Sequence, residues 1–242
     1  MMNEEDNTNQ TTTNPSSRIV VGCILWILTI QFLIVQFIVQ SSWATPFSLS
    51  KNFISDLGAV HSGEFPPDSG NFINSPNHAL MNASFMVFGL FIALGAILIG
   101  RNNPTKLVRP TVISFIVAGI GVILVGNFPE DTIIAMHGIG ALMQVFGCSV
   151  GFILAGLIVK QKFKMFSNLS IILGVVSAVA FIITSVISIK HVPFLGLYVG
   201  TWERISIWPE PVWFVIIGLI LVSRYRYIFK NLDIESKHAS NF

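Results

Sequence analysis

Six apolar runs, each long enough to cross a bilayer as a helix, constrain this chain more than any other feature of its sequence. A transmembrane helix needs about 20 predominantly apolar residues. The runs cover residues 19–39, 78–100, 110–127, 132–159, 169–189 and 206–223. Only 11% of the 242 residues are charged, whereas a soluble domain carries roughly a quarter. The sequence therefore predicts an all-α fold, a polytopic membrane bundle of six transmembrane helices within residues 19–226.

The two ends of the chain are polar. Residues 1–18 are rich in Asn, Thr and acidic side chains, which indicates a disordered tail, and residues 227–242 form a second polar tail. The first apolar run is longer than the apolar core of a signal peptide, which has about 7–15 residues, and no small-residue cleavage site follows it. We therefore expect this run to be a retained first span.

The charges between the spans alternate and predict an orientation. Basic residues near span ends stay in the cytoplasm. One side of the predicted bundle holds eleven of the 14 basic residues, namely Arg18, Arg101, Lys106, Arg109, Lys160, Lys162, Lys164, Arg224, Arg226, Lys230 and Lys237. The other side holds only Lys51, Lys190 and Arg204. The pattern predicts a cell-membrane protein with both termini in the cytoplasm.

Several functional classes find no support in the sequence. The net charge of +2 and the lack of a basic stripe with interleaved aromatic residues argue against nucleic acid as a partner. Cys23 and Cys148 lie inside apolar runs, which favours buried small side chains over a disulfide or a metal pair. The spacing Gly147-x-x-x-Gly151 predicts close helix packing, within the chain or between copies, so the oligomeric state stays open.

Polar chemistry gathers on the predicted outer side. That side holds seven of the twelve acidic residues and four of the five histidines: Asp56, Glu64, Asp68, Glu130, Asp131, Glu203, Glu210, His61, His78, His137 and His191. For Glu64, Asp68 and Glu210 we favour a solvated loop surface. Ionisable groups at or inside the bilayer boundary are costly and usually face the bundle interior. We therefore expect an outer pocket built from Ser55, Asp56, His78, Asn82, Glu130, His137, Gln144, Glu203 and Arg204.

Helical spacing supports an inward face for several of these residues. His78 and Asn82 are one turn apart on the second span, and His137 and Gln144 are two turns apart on the fourth. Glu203 and Arg204 come just before the sixth span, so we expect both at the same depth in the membrane. The structural alternative for these two is an ion pair, either with each other or between Arg204 and Asp56.

The segment 40–77 is long for a connection in a compact bundle, and such segments are often lids or binding elements. Its apolar residues alternate with turn formers, which favours a segment folded onto the bundle mouth. Ser55 and Asp56 within it either cap a short helix or reach the mouth.

The order of these motifs resembles a known family. The matching elements are Ser55-Asp56-Leu57-Gly58, Ser75-Pro76 with Asn82, Phe128-Pro129-Glu130 with His137 and Gly140, and Glu203-Arg204. In this order they resemble the membrane family called domain of unknown function 998 (DUF998), from the first span to the sixth. The resemblance implies a six-helix membrane domain without an established activity. The segment after the first span is also similar, at one motif, to the DRAM/Frag/Sfk membrane proteins, which are linked to lipid handling and trafficking.

Three functions compete. The first is binding of a lipid headgroup or small solute in the outer pocket, with Arg204 holding a phosphate or carboxylate and no cofactor. The second is an intramembrane zinc hydrolase of the kind found in the CREST superfamily, with His78, His137 and Asp56 or Glu130 as ligands and a spare carboxylate as base. The third is a scaffold without a pocket. The first two accommodate the gathering of polar groups on one side, and the third does not.

Overall fold

The chain folds into eight helices and one short hairpin in the computed structural model, which describes residues 15–43, 46–67, 70–101, 103 and 105–239. The helices are α1 (Pro15–Leu28), α2 (Gln31–Ser41), α3 (His78–Gly100), α4 (Val108–Asn127), α5 (Ile134–Val159), α6 (Lys164–Lys190), α7 (Val199–Ile207) and α8 (Pro209–Ala239). Strands β1 (Gly63–Glu64) and β2 (Phe72–Ile73) pair antiparallel between α2 and α3.

Within the described residues, six segments are long and apolar enough to cross a membrane, which confirms the predicted six-span bundle. They are Ser17–Ser41, His78–Gly100, Val108–Asn127, Ile134–Val159, Lys164–Lys190 and Val199–Arg224. Of the predicted N-terminal tail, residues 1–14 lie outside the described part of the chain, and α1 begins at Pro15. Helix α8 continues through much of the predicted C-terminal tail and ends at Ala239.

The first and the last spans are each built from two helices. α1 and α2 meet at Thr29, whose hydroxyl lies 2.6 Å from the Trp26 carbonyl oxygen and 3.3 Å from that of Pro211. α7 and α8 meet at Trp208, before two prolines that lack backbone N–H groups. The last span therefore begins at Val199, several residues before the predicted start at 206, because the short helix α7 precedes the proline break.

Glycines bring neighbouring helices into backbone contact. Gly89 of α3 and Gly119 of α4 face each other, and a methyl group on either would collide with the carbonyl oxygen of the other. Gly147 lies against the α4 backbone, where a methyl group would come within 2.7 Å of the Ala118 nitrogen. Gly151 lies against the Phe115 ring. The Gly-x-x-x-Gly spacing of α5 therefore serves packing within the chain.

An aromatic cluster fills the bundle away from the α2–α3 connection. Its members are Trp26, Phe115, Phe152, Trp213 and Phe214, with ring centroids 4.6–6.0 Å apart. All five side chains are at most 5% exposed. Such rings pack in tilted and edge-to-face arrangements, as they do here. We call these five residues the aromatic plug.

The opposite end of the bundle, called the loop end below, carries residues 46–67 and 70–77, the α4–α5 turn and residues 191–198. The connection between α2 and α3 packs down on the helices, because Ile54, Leu57 and Ile73 are each at most 1% exposed. Its central element is a 3-10 turn, Ser55–Gly58. Asn82 of α3 donates to the Gly58 carbonyl at 2.9 Å and fixes this turn on the bundle.

Candidate functional site

A cavity of about 860 Å³ opens at the loop end. This volume falls in the range of small-molecule pockets, about 300–1,000 Å³. Its walls come from the α2–α3 connection, α5, α6 and α7. Of the nine residues predicted for the outer pocket, six line the cavity: Ser55, Asp56, Glu130, His137, Gln144 and Glu203. The other three, His78, Asn82 and Arg204, do not.

Asp56 lies at the centre of the cavity wall and is 0% exposed. Its Oδ2 accepts hydrogen bonds from the Phe53 amide at 3.0 Å and from the side-chain amides of Asn52 and Asn71, each at 3.1 Å. Burial raises the pKa of Asp56, and hydrogen bonds from Glu130 and the two asparagines partly oppose that rise. The carboxyl group therefore both organises the 3-10 turn and faces the cavity.

Glu130, in the α4–α5 turn, interacts with the carboxyl group of Asp56. Burial raises the pKa of Glu130 well above its usual value, and the charge of Asp56 and then that of Glu203 raise it further. Two carboxyl groups in contact cannot both ionise at low cost, so one proton is shared between them.

Glu203 is the third carboxyl group of the cavity and comes from α7. It accepts a hydrogen bond from the Ile54 amide and lies 3.4 Å from the Ser55 hydroxyl. Its side chain thus holds the start of the 3-10 turn, 149 residues away in sequence. Together these contacts bring Asp56, Glu130 and Glu203, here called the carboxyl cluster, to one wall of the cavity.

The predicted ion pair of Arg204 with Glu203 or Asp56 is wrong. Arg204 Nη1 instead donates to the carbonyl oxygens of Asn52, at 2.7 Å, and Gly200, at 2.9 Å. Among the described side chains, the one acid–base contact within 4 Å joins His61 and Asp131. Consecutive residues of a helix point about 100° apart, so Glu203 faces the cavity while Arg204 faces the chain behind it.

His137 and Ser55 make a polar contact inside the cavity. The Nε2 atom of His137 lies 3.1 Å from the Ser55 hydroxyl, and its Nδ1 lies 2.9 Å from the Phe128 carbonyl oxygen. Because a carbonyl oxygen only accepts, Nδ1 carries the hydrogen, and a neutral imidazole then accepts the serine proton at Nε2. The sequence placed both residues at the mouth but gave no sign that they touch.

A second polar group lies deeper, towards the aromatic plug. Gln144 donates to Glu210 at 2.9 Å, and the Cys148 thiol lies beside the same carboxyl group. Glu210 is 0% exposed, so the expectation of a solvated loop surface is wrong for this residue. The reason is the early start of the last span, which carries Glu210 into the bundle. Glu64 is exposed as expected, and Asp68 lies outside the described residues.

His78 and Asn82 hold the loop end together instead of lining the cavity. His78 Nδ1 donates to the Ser75 carbonyl oxygen at 2.9 Å, and the Ser75 hydroxyl donates to the Leu57 carbonyl oxygen at 2.7 Å. The predicted zinc ligands therefore divide between this contact and the cavity. Over the part of the chain that the structure describes, no group of three or more His, Cys, Asp or Glu side chains has an arrangement that could hold a metal ion.

Asp131, next to Glu130, fastens the α2–α3 connection to the α4–α5 turn, and its side chain is 4% exposed. Its Oδ2 accepts from the backbone amide of His61 at 2.6 Å and from the His61 ring at 2.9 Å. Burial raises the pKa of Asp131, but hydrogen bonds from the amides of His61 and Val60 and from the His61 ring outweigh it, so the pKa is lowered. The pKa values of the neighbouring acids Glu130 and Asp131 are therefore shifted in opposite directions.

Several cavity residues were not among those predicted for the outer pocket. They are Lys51, Asn52, Asn71, Thr184, Ser185, Ser188 and His191. Asn52 stands four residues before Asp56, a spacing that could have marked it. The three hydroxyl residues of α6 resemble ordinary small residues of a membrane helix and carry no such signal.

Comparison with known proteins gives one match. The family model described as "Protein of unknown function (DUF998)" matches residues 21–220, which is most of the chain and includes every residue of the carboxyl cluster. No curated protein and no solved structure matches the chain.

Proposed function

The chain belongs to the DUF998 family, and we propose that this multi-pass membrane protein binds a lipid headgroup or a small solute in the cavity at its loop end. One observation carries the proposal. The three carboxyl groups of the carboxyl cluster, all at most 9% exposed, converge on one cavity, and none forms an ion pair with a described basic side chain. Buried acids without a counter-ion in contact are costly, and a ligand that supplies a cationic group or further hydrogen-bond donors offsets that cost.

The chemistry of the walls indicates which ligand fits. The carboxyl cluster offers acceptor oxygens to a ligand that carries N–H or O–H groups, and most strongly to an ammonium group. Arg204, the residue expected to anchor an anion, donates to two backbone carbonyl groups and lies off the cavity. The geometry therefore favours a cationic or hydroxyl-rich group over a bare phosphate or carboxylate.

We place the loop end on the outer side of the cell membrane, with both termini in the cytoplasm. The support is the distribution of basic residues, because eleven of the 14 follow or precede spans at the opposite end. In this orientation the cavity receives its ligand from outside the cell or from the outer leaflet.

The test compares two small probes of similar size on the purified protein in detergent. Ethanolamine carries an ammonium group, and ethylene glycol replaces it with a neutral hydroxyl group. Ethanolamine should bind more tightly in calorimetry. Glu203→Gln should weaken it by about tenfold to a hundredfold, the equivalent of one charge-assisted hydrogen bond, whereas Glu130→Gln, which resembles the protonated carboxyl group, should weaken it less.

The matched control is Glu64→Gln, which removes an exposed acid at the same end of the molecule and should leave binding unchanged. Equal affinity for the two probes, or equal affinity of all variants for ethanolamine, would count against the proposal.

The contact between Ser55 and His137 supports a second candidate function, hydrolysis by a nucleophilic serine. A serine hydroxyl that donates to an imidazole, itself oriented through its other nitrogen, is the arrangement that activates a nucleophile. Ser55 would attack a carbonyl carbon, His137 would take its proton and pass it to the leaving group, and water would release the acyl group. The zinc alternative has no comparable support, because His78 lies off the cavity.

A fluorophosphonate probe tests the serine directly, because it becomes bonded to an activated serine oxygen with loss of fluoride. Labelling of Ser55 that disappears in His137→Asn would support hydrolysis. A wild-type protein that stays unlabelled while it binds ethanolamine would limit the function to binding.

A further inference from the structure

Helices α5 and α6 are close at one end and apart at the other. Towards the aromatic plug, a methyl group on Gly156 would come within 2.8 Å of the Ser167 carbonyl oxygen, and one on Gly174 within 2.6 Å of the Ser149 carbonyl oxygen. Towards the loop end, a methyl group on Gly138 would meet nothing within 4 Å. The two helices therefore separate towards the loop end.

The cavity extends into this separation. One face of each helix lines it at helical spacing, with Ile134, Gly138 and Ala141 from α5 and Thr184, Ser185 and Ser188 from α6. Ile134 is 62% exposed, and Ser185 is also exposed. The lining therefore reaches the outer surface of the bundle, which faces lipid along a membrane-spanning helix. We call this opening the lateral gap.

An aromatic pair closes the lateral gap on the side of the plug. The rings of Phe146 and Phe181 meet edge to face, with centroids 6.1 Å apart. Above them, the hydroxyl groups of Thr184, Ser185 and Ser188 each donate to a carbonyl oxygen one turn earlier in α6 at 2.9 Å. The three hydroxyl groups therefore hydrogen-bond within α6 itself, so the surface of the lateral gap can accommodate an alkyl chain.

The charges along the cavity are ordered by depth. The acids of the carboxyl cluster are buried, whereas two other cavity residues, Lys51 and His191, are exposed at the rim. The Lys51 ammonium group lies 5.2 Å from the centre of the Tyr198 ring, which also lines the cavity. An acidic interior behind a basic rim is complementary to a zwitterion whose cationic end points inwards and whose anionic end stays near the mouth.

From the lateral gap and this order of charges we infer that the ligand is a phospholipid with a primary-amine zwitterionic headgroup, which enters sideways from the bilayer between α5 and α6. The ammonium group lies at the carboxyl cluster, the phosphate at Lys51, and the acyl chains in the lateral gap. A primary ammonium has three N–H donors, and the carboxyl cluster has three acceptor groups. The inference rests on the proposed function and adds both the ligand class and its route.

The experiment uses the full chain in nanodiscs with traces of phospholipid carrying a diazirine in one acyl chain. Three headgroups are compared: phosphoethanolamine, phosphocholine, which has no N–H donor, and phosphoglycerol, which has no cation. After illumination, peptide mass spectrometry locates the adducts. The ethanolamine lipid should label the gap-lining residues of α5 and α6 about tenfold more than the glycerol lipid does, as expected for one charge-assisted contact.

Blocking variants test the route. Gly138→Trp and Ser185→Trp each place a large ring in the lateral gap. Ile139→Trp and Val186→Trp are matched controls, because both residues are exposed on the same helices and neither lines the cavity. The first two should lose labelling inside the cavity, and the controls should keep it. Thermal melts of all four variants identify any that fails to fold. If one blocking variant does not fold, the labelling of the other one tests the route.

Water-soluble phosphoethanolamine tests binding in the cavity without entry from the bilayer, so a failure of lateral entry can be distinguished from a failure of binding. If wild type and blocking variants bind phosphoethanolamine equally while only the wild type is labelled by lipid, lateral entry is supported. If the blocking variants are labelled like the wild type, lateral entry is wrong although binding stands. If the three headgroups label alike, the amine assignment is wrong. If neither ethanolamine nor phosphoethanolamine binds the wild type, the proposed function itself fails.

Discussion

Substitution of Glu130 by glutamine should stabilise the protein at neutral pH, although the residue lies in the centre of the candidate site. Glu130 is 9% exposed and interacts with the carboxyl group of Asp56. Burial, followed by the charge of Asp56, raises its pKa well above 4.5. Glutamine has nearly the same shape and can donate an N–H to Asp56 at any pH, so it reproduces the protonated carboxyl group permanently.

The size of the effect follows from proton linkage. In the unfolded chain Glu130 loses its proton near its ordinary pKa of 4.5, whereas in the folded protein it keeps it to higher pH. Between these two values the unfolded state binds fewer protons, so the free energy of unfolding falls as pH rises, by up to about 1.4 kcal/mol per pH unit. Glu130→Gln removes this contribution, and its advantage over the wild type should grow with pH.

Asp131, the residue after Glu130, should affect stability in the opposite way. The pKa of Asp131 is lowered, because hydrogen bonds from His61 and Val60 outweigh the effect of burial. Its carboxylate therefore contributes stability above its ordinary pKa of 3.8, and that stability is lost as pH falls through the lowered value. Asp131→Asn should destabilise the protein at neutral pH.

The assay is thermal melting in detergent from pH 5 to pH 8. For a chain of this size, 1 kcal/mol corresponds to roughly 2–4 °C in Tm. Glu130→Gln should match the wild type at pH 5 and exceed it at pH 8, and Asp131→Asn should melt below it at both. A Glu130→Gln variant that melts below the wild type at pH 8 would instead show that the folded state needs an ionised Glu130.

Three further predictions concern the frame of the site. Gly119→Ala should lower stability by roughly 1–3 kcal/mol in thermal melts, since the methyl group meets the Gly89 backbone, whereas Gly138→Ala has open space and should be nearly neutral. Arg204→Ala should lower the free energy of unfolding by roughly 1.5–3 kcal/mol and speed proteolysis within residues 46–67, because two backbone carbonyl groups lose a charged donor. Trp213→Ala, in the aromatic plug, should lower the free energy of unfolding by roughly 3–5 kcal/mol, measured by the same melts.

The number of spans could be predicted from sequence because hydropathy over about 20 residues decides it, without any knowledge of packing. The start of the last span could not. Pro209 and Pro211 favour a first turn nearby, and that inference is right for α8. The short helix α7 before them is amphipathic and only weakly apolar as a whole, so the hydropathy pattern gives it little weight. Glu210 was misplaced for this reason.

The membership of the site was predictable only in part. Topology alone gathers the acids at the loop end, which brings Asp56, Glu130 and Glu203 within reach of one another. Their contacts depend on how the α2–α3 connection folds and how each helix is rotated, and local spacing does not contain that information. Two cases show this: Arg204 turns away from its neighbour Glu203, and His78 pairs with the Ser75 carbonyl group instead of facing the cavity.

A structure determined in nanodiscs that contain phosphatidylethanolamine would show whether a phospholipid headgroup occupies the cavity. We expect headgroup density in the cavity, with the amine within hydrogen-bonding distance of Asp56, Glu130 and Glu203, and acyl-chain density leaving between α5 and α6. A cavity that holds only water, with lipid density confined to the outer surface of the bundle, would show that the cavity does not bind this phospholipid.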